Sequence, residues 1–156
     1  MISAPRSAVI LIVEDDPNDV LFLTRAFKKA NIRQALRVAR DGQEAIEYLA
    51  GTGPYQDRDQ YPLPCLVILD VKLPKKNGLE VLQWLRHREG LGDLPVVMVT
   101  SSEENGDKDQ ALRQGIEAYR VKPVSFEQLL KLAEDIRQEA EDHCKDARPL
   151  PEKSGH

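Results

Sequence analysis

The sequence predicts an α/β fold, a doubly wound parallel sheet of five strands with helices on both faces. Five short aliphatic runs alternate along the chain with segments in which apolar residues recur at helical spacing. The runs AVILIV at 8–13 and CLVIL at 65–69 are continuous, as in strands that are covered on both faces. A chain of 156 residues suggests a single domain of this kind.

The first helix and the second strand–helix pair follow from local signals. Pro17 stands in a first helical turn, with Asp16 as a plausible N-cap. A short second strand is predicted at 36–39, and Asp41 resembles the start of a capping box for a helix that ends near Gly51. The apolar positions of the first helix are Val20, Leu23, Phe27 and Ala30.

A loop separates this half from the third strand. Residues 51–64 contain three prolines and two glycines, which predicts a loop longer than most connections in compact domains. The third strand at 65–69 follows, and Asn77 can cap a helix that carries three leucines. The fourth strand is PVVMV at 95–99.

The sequence signals for the last elements are weak, except for those of the final helix. Residues 103–114 predict a polar helix interrupted by Gly106, and a short fifth strand is predicted at 118–121. Ser125 begins a capping box whose helix runs through Ala140. We therefore expect three segments, a lead at 1–7, one domain at 8–143 and a polar, disordered tail at 144–156.

The composition and charge of the chain argue against a few classes of function and location. The net charge of −4 gives no electrostatic case for nucleic acid, whose binding modules usually carry a basic patch. No apolar run approaches the roughly 20 residues that span a bilayer, and the N-terminus lacks the pattern of a signal peptide. We expect a cytoplasmic protein with no membrane partner. Cys65 and Cys144 make no disulfide framework, and Cys65 is interpreted as a buried reduced thiol.

Polar residues stand at the carboxyl ends of four predicted strands, where doubly wound sheets form their sites. Several carboxylates at one edge repel one another and need a cation, and oxygen ligands suit hard ions such as Mg²⁺. Each residue alone has a plain structural interpretation as a cap, a turn residue or a solvated charge, and Asp16 keeps that interpretation. The strand-end residues are Glu14, Asp15, Asp16, Asp70, Thr100 and Lys122.

Four segments around these residues resemble the receiver domains of bacterial two-component response regulators, the CheY-like family. They are ILIVEDD at 10–16, LVILDVKLPKKNG at 66–78, VVMVTSS at 96–102 and AYRVKP at 118–123. The resemblance spans roughly residues 8–140 and implies a flavodoxin-like (βα)5 sheet with strand order 2-1-3-4-5. The LPKKNG match and the 51–64 loop look like the stand-alone receivers that pair with bacterial phytochromes.

The resemblance implies a role for each strand-end residue. Asp70 would accept a phosphoryl group, while Lys122 and the Thr100 hydroxyl would contact phosphoryl oxygens. Glu14, Asp15, Asp70 and the backbone carbonyl of Lys72 would hold Mg²⁺ or Mn²⁺. Lys72 itself departs from the family, which often has Asn at this position.

Thr100 and Tyr119 would form the conformational switch, although Tyr119 could equally be a packing residue of an edge strand. The resemblance also implies a cis peptide before Pro123, which would fix the direction of Lys122.

The implied partner is a sensor histidine kinase, a bacteriophytochrome under the finer resemblance. None of the three histidines, His87, His143 and His156, lies at a strand end, so the phosphohistidine is expected on the partner. We also expect a homodimer through the face of helix 4, strand 5 and helix 5. Such a protein is not a classical enzyme, although it catalyses its own phosphorylation and dephosphorylation. A pseudo-receiver that binds partners without phosphorylation remains the alternative.

Two further classes fit the residues less well. A phosphatase of the haloacid-dehalogenase class places its nucleophile after the first strand and a second aspartate two residues on, where this chain has Asp70 after strand three and then Lys72. A flavodoxin would need a Ser/Thr/Gly-rich phosphate loop after strand one, where this chain has EDDPND.

Overall fold

The structure is a computed structural model, and it describes residues 6–101 and 105–150. Five parallel strands form one sheet in the order β2-β1-β3-β4-β5, which confirms the predicted fold class. The strands are β1 Ser7–Val13, β2 Ala35–Ala39, β3 Pro64–Leu69, β4 Val96–Thr100 and β5 Ala118–Val121. The helices are α1 Pro17–Lys29, α2 Gly42–Ala50, α3 Gly78–His87, α4 Asn105–Gln114 and α5 Phe126–Cys144.

The helices cover both faces of the sheet, so the central strands are buried on each side. All six residues of β3 are buried. Val67 and Leu69 pack into the core beneath α2, α3 and α4, whereas Ile68 packs into the core beneath α1 and α5. This two-sided burial explains the continuous aliphatic run, because an alternating pattern is needed only where one face meets water.

The predicted helix caps are present and explain where four helices begin. The side chains of Asp16 and Asp41 accept hydrogen bonds of 2.8 Å from the backbone N–H groups of Asn18 and Glu44. Asn77 forms a reciprocal capping box at α3, and the Ser125 hydroxyl caps α5. These bonds satisfy N–H groups that have no partner within the helix.

The 51–64 loop folds back on α2. The guanidinium of Arg58 donates hydrogen bonds of 2.7 Å to the carbonyl oxygens of Tyr48 and Leu49, which lie in the last turn of that helix. The rings of Tyr48, Tyr55 and Tyr61 pack together with centroids 4.9–6.1 Å apart. The loop is therefore tied to the domain by bonds that satisfy helix-end carbonyls.

The prediction of a reduced thiol at Cys65 is wrong, because Cys65 and Cys144 form a disulfide. Their sulfur atoms lie 1.97 Å apart and their Cα atoms 5.3 Å apart, across a sequence separation of 79 residues. Cys65 is the second residue of β3 and Cys144 ends α5, and both residues face the core beneath α1 and α5. Helix packing brings them together, which their spacing in the sequence does not reveal.

The tail differs from the expected disordered segment in its first residues. The carbonyl of Arg148 accepts a hydrogen bond of 2.8 Å from the N–H of Ala8, and the N–H of Arg148 donates to Arg6 at 2.9 Å. Arg148 thus lies against the start of β1, because it supplies partners for backbone groups there. The lead and tail residues 1–5 and 151–156 fall outside the described ranges.

Two further features concern the whole described chain. No peptide bond within 6–101 and 105–150 is cis, so the cis bond expected before Pro123 is a wrong prediction. The trans isomer is the lower-energy one even before proline, by roughly 0.5–1 kcal/mol.

None of the helices in these ranges combines the length and the apolar character that crossing a bilayer requires.

Candidate functional site

The sheet register brings the predicted site residues to one edge. Val13 of β1 pairs with Leu69 of β3, and Thr100 of β4 pairs with Val121 of β5. The next residue after each of Val13, Leu69 and Val121 is polar: Glu14, Asp70 and Lys122, respectively. Because parallel strands end at the same edge, these side chains converge without any special loop structure.

Lys122 is surrounded by three carboxylates. Its Nζ lies 2.8 Å from Asp70 Oδ2 and 2.9 Å from Asp19 Oδ2, and it also contacts Glu14 Oε1. The side chains of Glu14 and Asp70 are only 3% and 4% exposed, whereas that of Lys122 is 19% exposed. One ammonium therefore faces three acids, two of them almost removed from solvent.

The acids also form a set that fits a divalent cation. Carboxylate oxygens of Glu14, Asp15 and Asp70 all lie within 4.8 Å of one another. Oxygen donors at such separations match the preference of Mg²⁺ and Mn²⁺. Asp15 is exposed and borders an open cavity of about 350 Å³ that Lys72 also lines. The donor set and the access from solvent thus fit a divalent cation such as Mg²⁺ or Mn²⁺.

The turn after β3 keeps Lys72 beside the central carboxylate. The backbone N–H of Lys72 donates a hydrogen bond of 3.2 Å to Asp70 Oδ1. The chain then returns so closely that a Cβ atom on Gly78 would lie 2.0 Å from the carbonyl oxygen of Asp70. Glycine is therefore required at the end of the LPKKNG motif, because a side chain there would displace the backbone of Asp70.

Burial raises the pKa of Glu14 from 4.5 to about 7. The hydrogen bonds from Lys122 and from the backbone of Asp16 oppose this effect, and the charge of Asp70 adds to it. For Lys122, burial lowers the pKa of the ammonium, but hydrogen bonds to Asp70, Glu14 and Asp19 outweigh it and the net pKa is raised. Lys122 stays charged, while Glu14 binds a proton just below neutral pH.

This titration predicts a pH-dependent metal affinity. Below about pH 7 the metal-free protein carries a proton on Glu14, and cation binding must release it. We expect Mg²⁺ affinity to rise with pH, up to about tenfold per unit, and to level off above about pH 7. Calorimetric titration in buffers of different ionisation enthalpy measures both the affinity and the proton. A constant affinity between about pH 5.5 and about pH 7.5 would contradict this account.

The raised pKa of Glu14 also determines the direction in which the stability of the fold changes with pH. A folded-state pKa above the unfolded value means that the native state binds the proton more tightly. The contribution of Glu14 to the free energy of unfolding is therefore greatest below about pH 4.5 and is lost as pH rises towards about 7.

Thr100 and Tyr119 lie where a switch could act, on the two strands beside the site. Thr100 is fully buried, and its carbonyl oxygen accepts a hydrogen bond of 2.8 Å from the N–H of Lys122. Tyr119 is half-buried, pairs in register with Met98, and packs against the core beneath α2, α3 and α4. Their part in switching stays a prediction.

Asp19 is a site residue that the sequence analysis did not identify. It lies in the first turn of α1, three residues after the N-cap Asp16, and reaches Lys122 from the helix. The sequence did contain one signal for it, because Asp19 is an acidic residue in the first turn of a helix that begins at the edge of the site. Asp16 caps α1, as its plain structural interpretation required.

Comparison with known proteins agrees with this geometry. Residues 10–134 match the family described as the response regulator receiver domain. The response regulator Rcp1 of Synechocystis sp. (strain ATCC 27184 / PCC 6803 / Kazusa) is 33% identical over 128 residues, 82% of this chain and 85% of Rcp1. The probable methanogenesis regulatory protein FilR2 of Methanothrix harundinacea (strain 6Ac) is 34% identical over 83% of this chain and 81% of its own length.

Solved structures give the same result. The bacteriophytochrome response regulator AtBRR is 43% identical with a TM-score of 0.68, covering 84% of this chain and 93% of AtBRR. The Mn²⁺-bound form of Rcp1 is 32% identical with a TM-score of 0.76, covering 83% of this chain and 91% of Rcp1. The chain therefore belongs to the response regulator receiver domain family, with a CheY-like fold and similarity to the response regulators of phytochromes.

Proposed function

We propose that this chain is a single-domain response regulator whose Asp70 accepts a phosphoryl group from a sensor histidine kinase. The observation that carries the proposal is the contact of 2.8 Å between Asp70 and Lys122 beside the acidic set of Glu14, Asp15 and Asp70. A pseudo-receiver would not require a buried nucleophile, a fixed ammonium and a candidate metal set together. The family is not one of classical enzymes, and the chemistry proposed here is autocatalytic.

In the proposed step, a carboxylate oxygen of Asp70 attacks the phosphorus of the partner's phosphohistidine. A P–O bond forms, the P–N bond breaks, and the imidazole leaves. Lys122 binds one phosphoryl oxygen, and the Thr100 hydroxyl donates a hydrogen bond to another. A divalent cation on Glu14, Asp15, Asp70 and the Lys72 carbonyl would offset the repulsion between two anionic reactants.

The residues of the chain supply mainly position and charge, as phosphoryl transfer requires. Glu14 and Asp70 are held at the ends of buried strands, so their carboxylates have little freedom to move. Because Asp70 is nearly buried but borders an acidic set open to solvent at Asp15, a donor can reach it from the sheet edge. This arrangement supports acceptance from a small donor as well as from a kinase.

The proposed output is a change of surface, since phosphorylation biases an equilibrium between two states. The new phosphoryl group would draw Thr100 towards it, and Tyr119 would turn inward beside it. α4 is the element that moves most readily, because Ala111 is its one fully buried residue among those the structure describes in that helix.

The proposed partners are a kinase of the bacteriophytochrome type and a second copy of this chain, with no nucleic acid. Three exposed apolar side chains belong to this region: Leu112 on α4 is 52% exposed, Val121 on β5 is 47% exposed, and Val124 in the connection between β5 and α5 is 95% exposed. We expect the dimer to form through the face of α4, β5 and α5 that includes them. Within α5, Leu129 is buried, whereas Phe126 is 49% exposed and its ring centroid lies 5.8 Å from the ammonium nitrogen of Lys29 on α1. Light scattering that finds only monomer in the phosphorylated protein would contradict the dimer.

The proposal places the protein in the cytoplasm, because a histidine kinase draws its phosphoryl group from ATP. The direct test is incubation with Mg²⁺ and acetyl phosphate, followed by the mass of the intact protein. We expect a gain of one phosphoryl group that a chelator of Mg²⁺ prevents. A mass that does not change would favour the phosphorylation-independent interaction module.

A further inference from the structure

Asp19 is the carboxylate at Lys122 that the candidate metal set does not include. Its Oδ2 lies 2.9 Å from Lys122 Nζ, at a distance comparable to that of Asp70. The acids whose oxygens converge are Glu14, Asp15 and Asp70, and Asp19 is not among them. Asp19 is also the most exposed of the three partners of Lys122, at 36% of its side chain.

The three partners of Lys122 would not be equally available during the reaction. An ammonium group has three N–H donors, and here the partners are Glu14, Asp70 and Asp19. A cation on the acidic set would engage Glu14 and Asp70, and phosphoryl transfer would convert the Asp70 carboxylate to an acyl phosphate, which is a mixed anhydride. Of these three partners, Asp19 would be the one carboxylate that neither the cation nor the phosphoryl group engages.

Lysine needs such a partner because its side chain is flexible. Four methylene groups and a strongly hydrated ammonium allow many rotamers, several of which would point to solvent. Asp19 itself is held by α1, whose first turn is fixed by Pro17 and by the Asp16 cap. An anchored carboxylate on a helix can therefore hold a mobile ammonium in place.

We propose that Asp19 is a positioning residue that keeps the ammonium of Lys122 beside Asp70 when metal and phosphoryl group engage the other acids. This inference rests on the proposed function, since it assigns a second residue to the same phosphoryl-transfer site. It predicts that Asp19→Asn slows phosphorylation by about tenfold, because a displaced ammonium binds the transferring group less well. Asp19→Glu, which retains the charge, is expected to restore part of the rate.

The position of Lys122 can be measured without any phosphoryl transfer. Brief acetylation of the full chain with acetic anhydride in saturating Mg²⁺, followed by peptide mass spectrometry, reports the exposure of each lysine amine. Lys131 on α5 is exposed and serves as the internal reference. In Asp19→Asn we expect Lys122 to react several-fold faster relative to Lys131. Asp16→Asn is the matched control, because Asn also caps helices and Asp16 is not among the acids that pair with Lys122 in the described part of the chain.

Phosphorylation kinetics provide the second measurement. If Asp19 acts through Lys122, the effect of Asp19→Asn disappears in a Lys122→Ala background. Unchanged acetylation of Lys122 in Asp19→Asn would overturn the proposal, and so would an equal slowing in the Lys122→Ala background. If the wild-type protein takes up no phosphoryl group, the proposed function fails, and the acetylation result alone then decides the role of Asp19.

Discussion

Asp70→Asn is expected to abolish phosphoryl uptake from acetyl phosphate, a fall of at least about 1,000-fold. The amide nitrogen and oxygen of asparagine are weak nucleophiles, and the variant also removes one carboxylate from the candidate metal set. The fold is expected to persist, because the amide has the shape of the carboxylate and removes charge from a crowded acidic site. Intact mass spectrometry measures the uptake, and circular dichroism checks the fold.

Asp41→Asn is the matched control for that experiment. Asp41 caps α2 by accepting the N–H of Glu44, and asparagine is an equally good cap. The control is therefore expected to take up one phosphoryl group at the wild-type rate. Uptake by Asp70→Asn at a rate near that of this control would contradict the assignment of Asp70.

Reduction of the Cys65–Cys144 disulfide is expected to lower the free energy of unfolding by about 4 kcal/mol. The bond closes a loop of 79 residues, and it lowers the entropy of the unfolded chain more than a short loop would. The same bond fixes the end of α5 to the start of β3, so its loss also frees the segment that lies against β1. Urea unfolding of the oxidised and the reduced protein measures the difference.

The double variant Cys65→Ala/Cys144→Ala controls for effects of the reductant. Its stability is expected to be the same with and without dithiothreitol, whereas the wild-type protein is expected to change. Equal midpoints for oxidised and reduced wild-type protein would show that the cross-link contributes nothing to folding.

The features that could be predicted from the sequence depend on neighbouring residues or on general properties of parallel sheets. The caps at Asp16, Asp41, Asn77 and Ser125 were predictable because each needs only residues within a few positions of itself. The strand order was predictable through the family resemblance. The meeting of strand-end side chains followed from a property of all parallel sheets, which place their carboxyl ends at one edge.

The unpredicted features depend on the direction of side chains in three dimensions. Cys65 and Cys144 meet because α5 packs against β3, and Arg148, which follows the end of α5, bonds to Ala8 of β1. Asp19 reaches Lys122 across 103 residues of sequence, from a helix whose rotation about its axis the apolar pattern sets only approximately. Contacts between distant elements of this kind leave no periodic or adjacent signal.

The most direct test of the central claim locates the phosphoryl group itself. An aspartyl phosphate is an acyl phosphate, which borohydride reduces to an alcohol, so a phosphorylated aspartate becomes homoserine. Treatment of the Mg²⁺ and acetyl phosphate reaction with borohydride, followed by peptide sequencing, is expected to show homoserine at position 70. Homoserine at another acid such as Asp15, or unmodified aspartate throughout, would contradict the proposal that Asp70 is the phosphoacceptor.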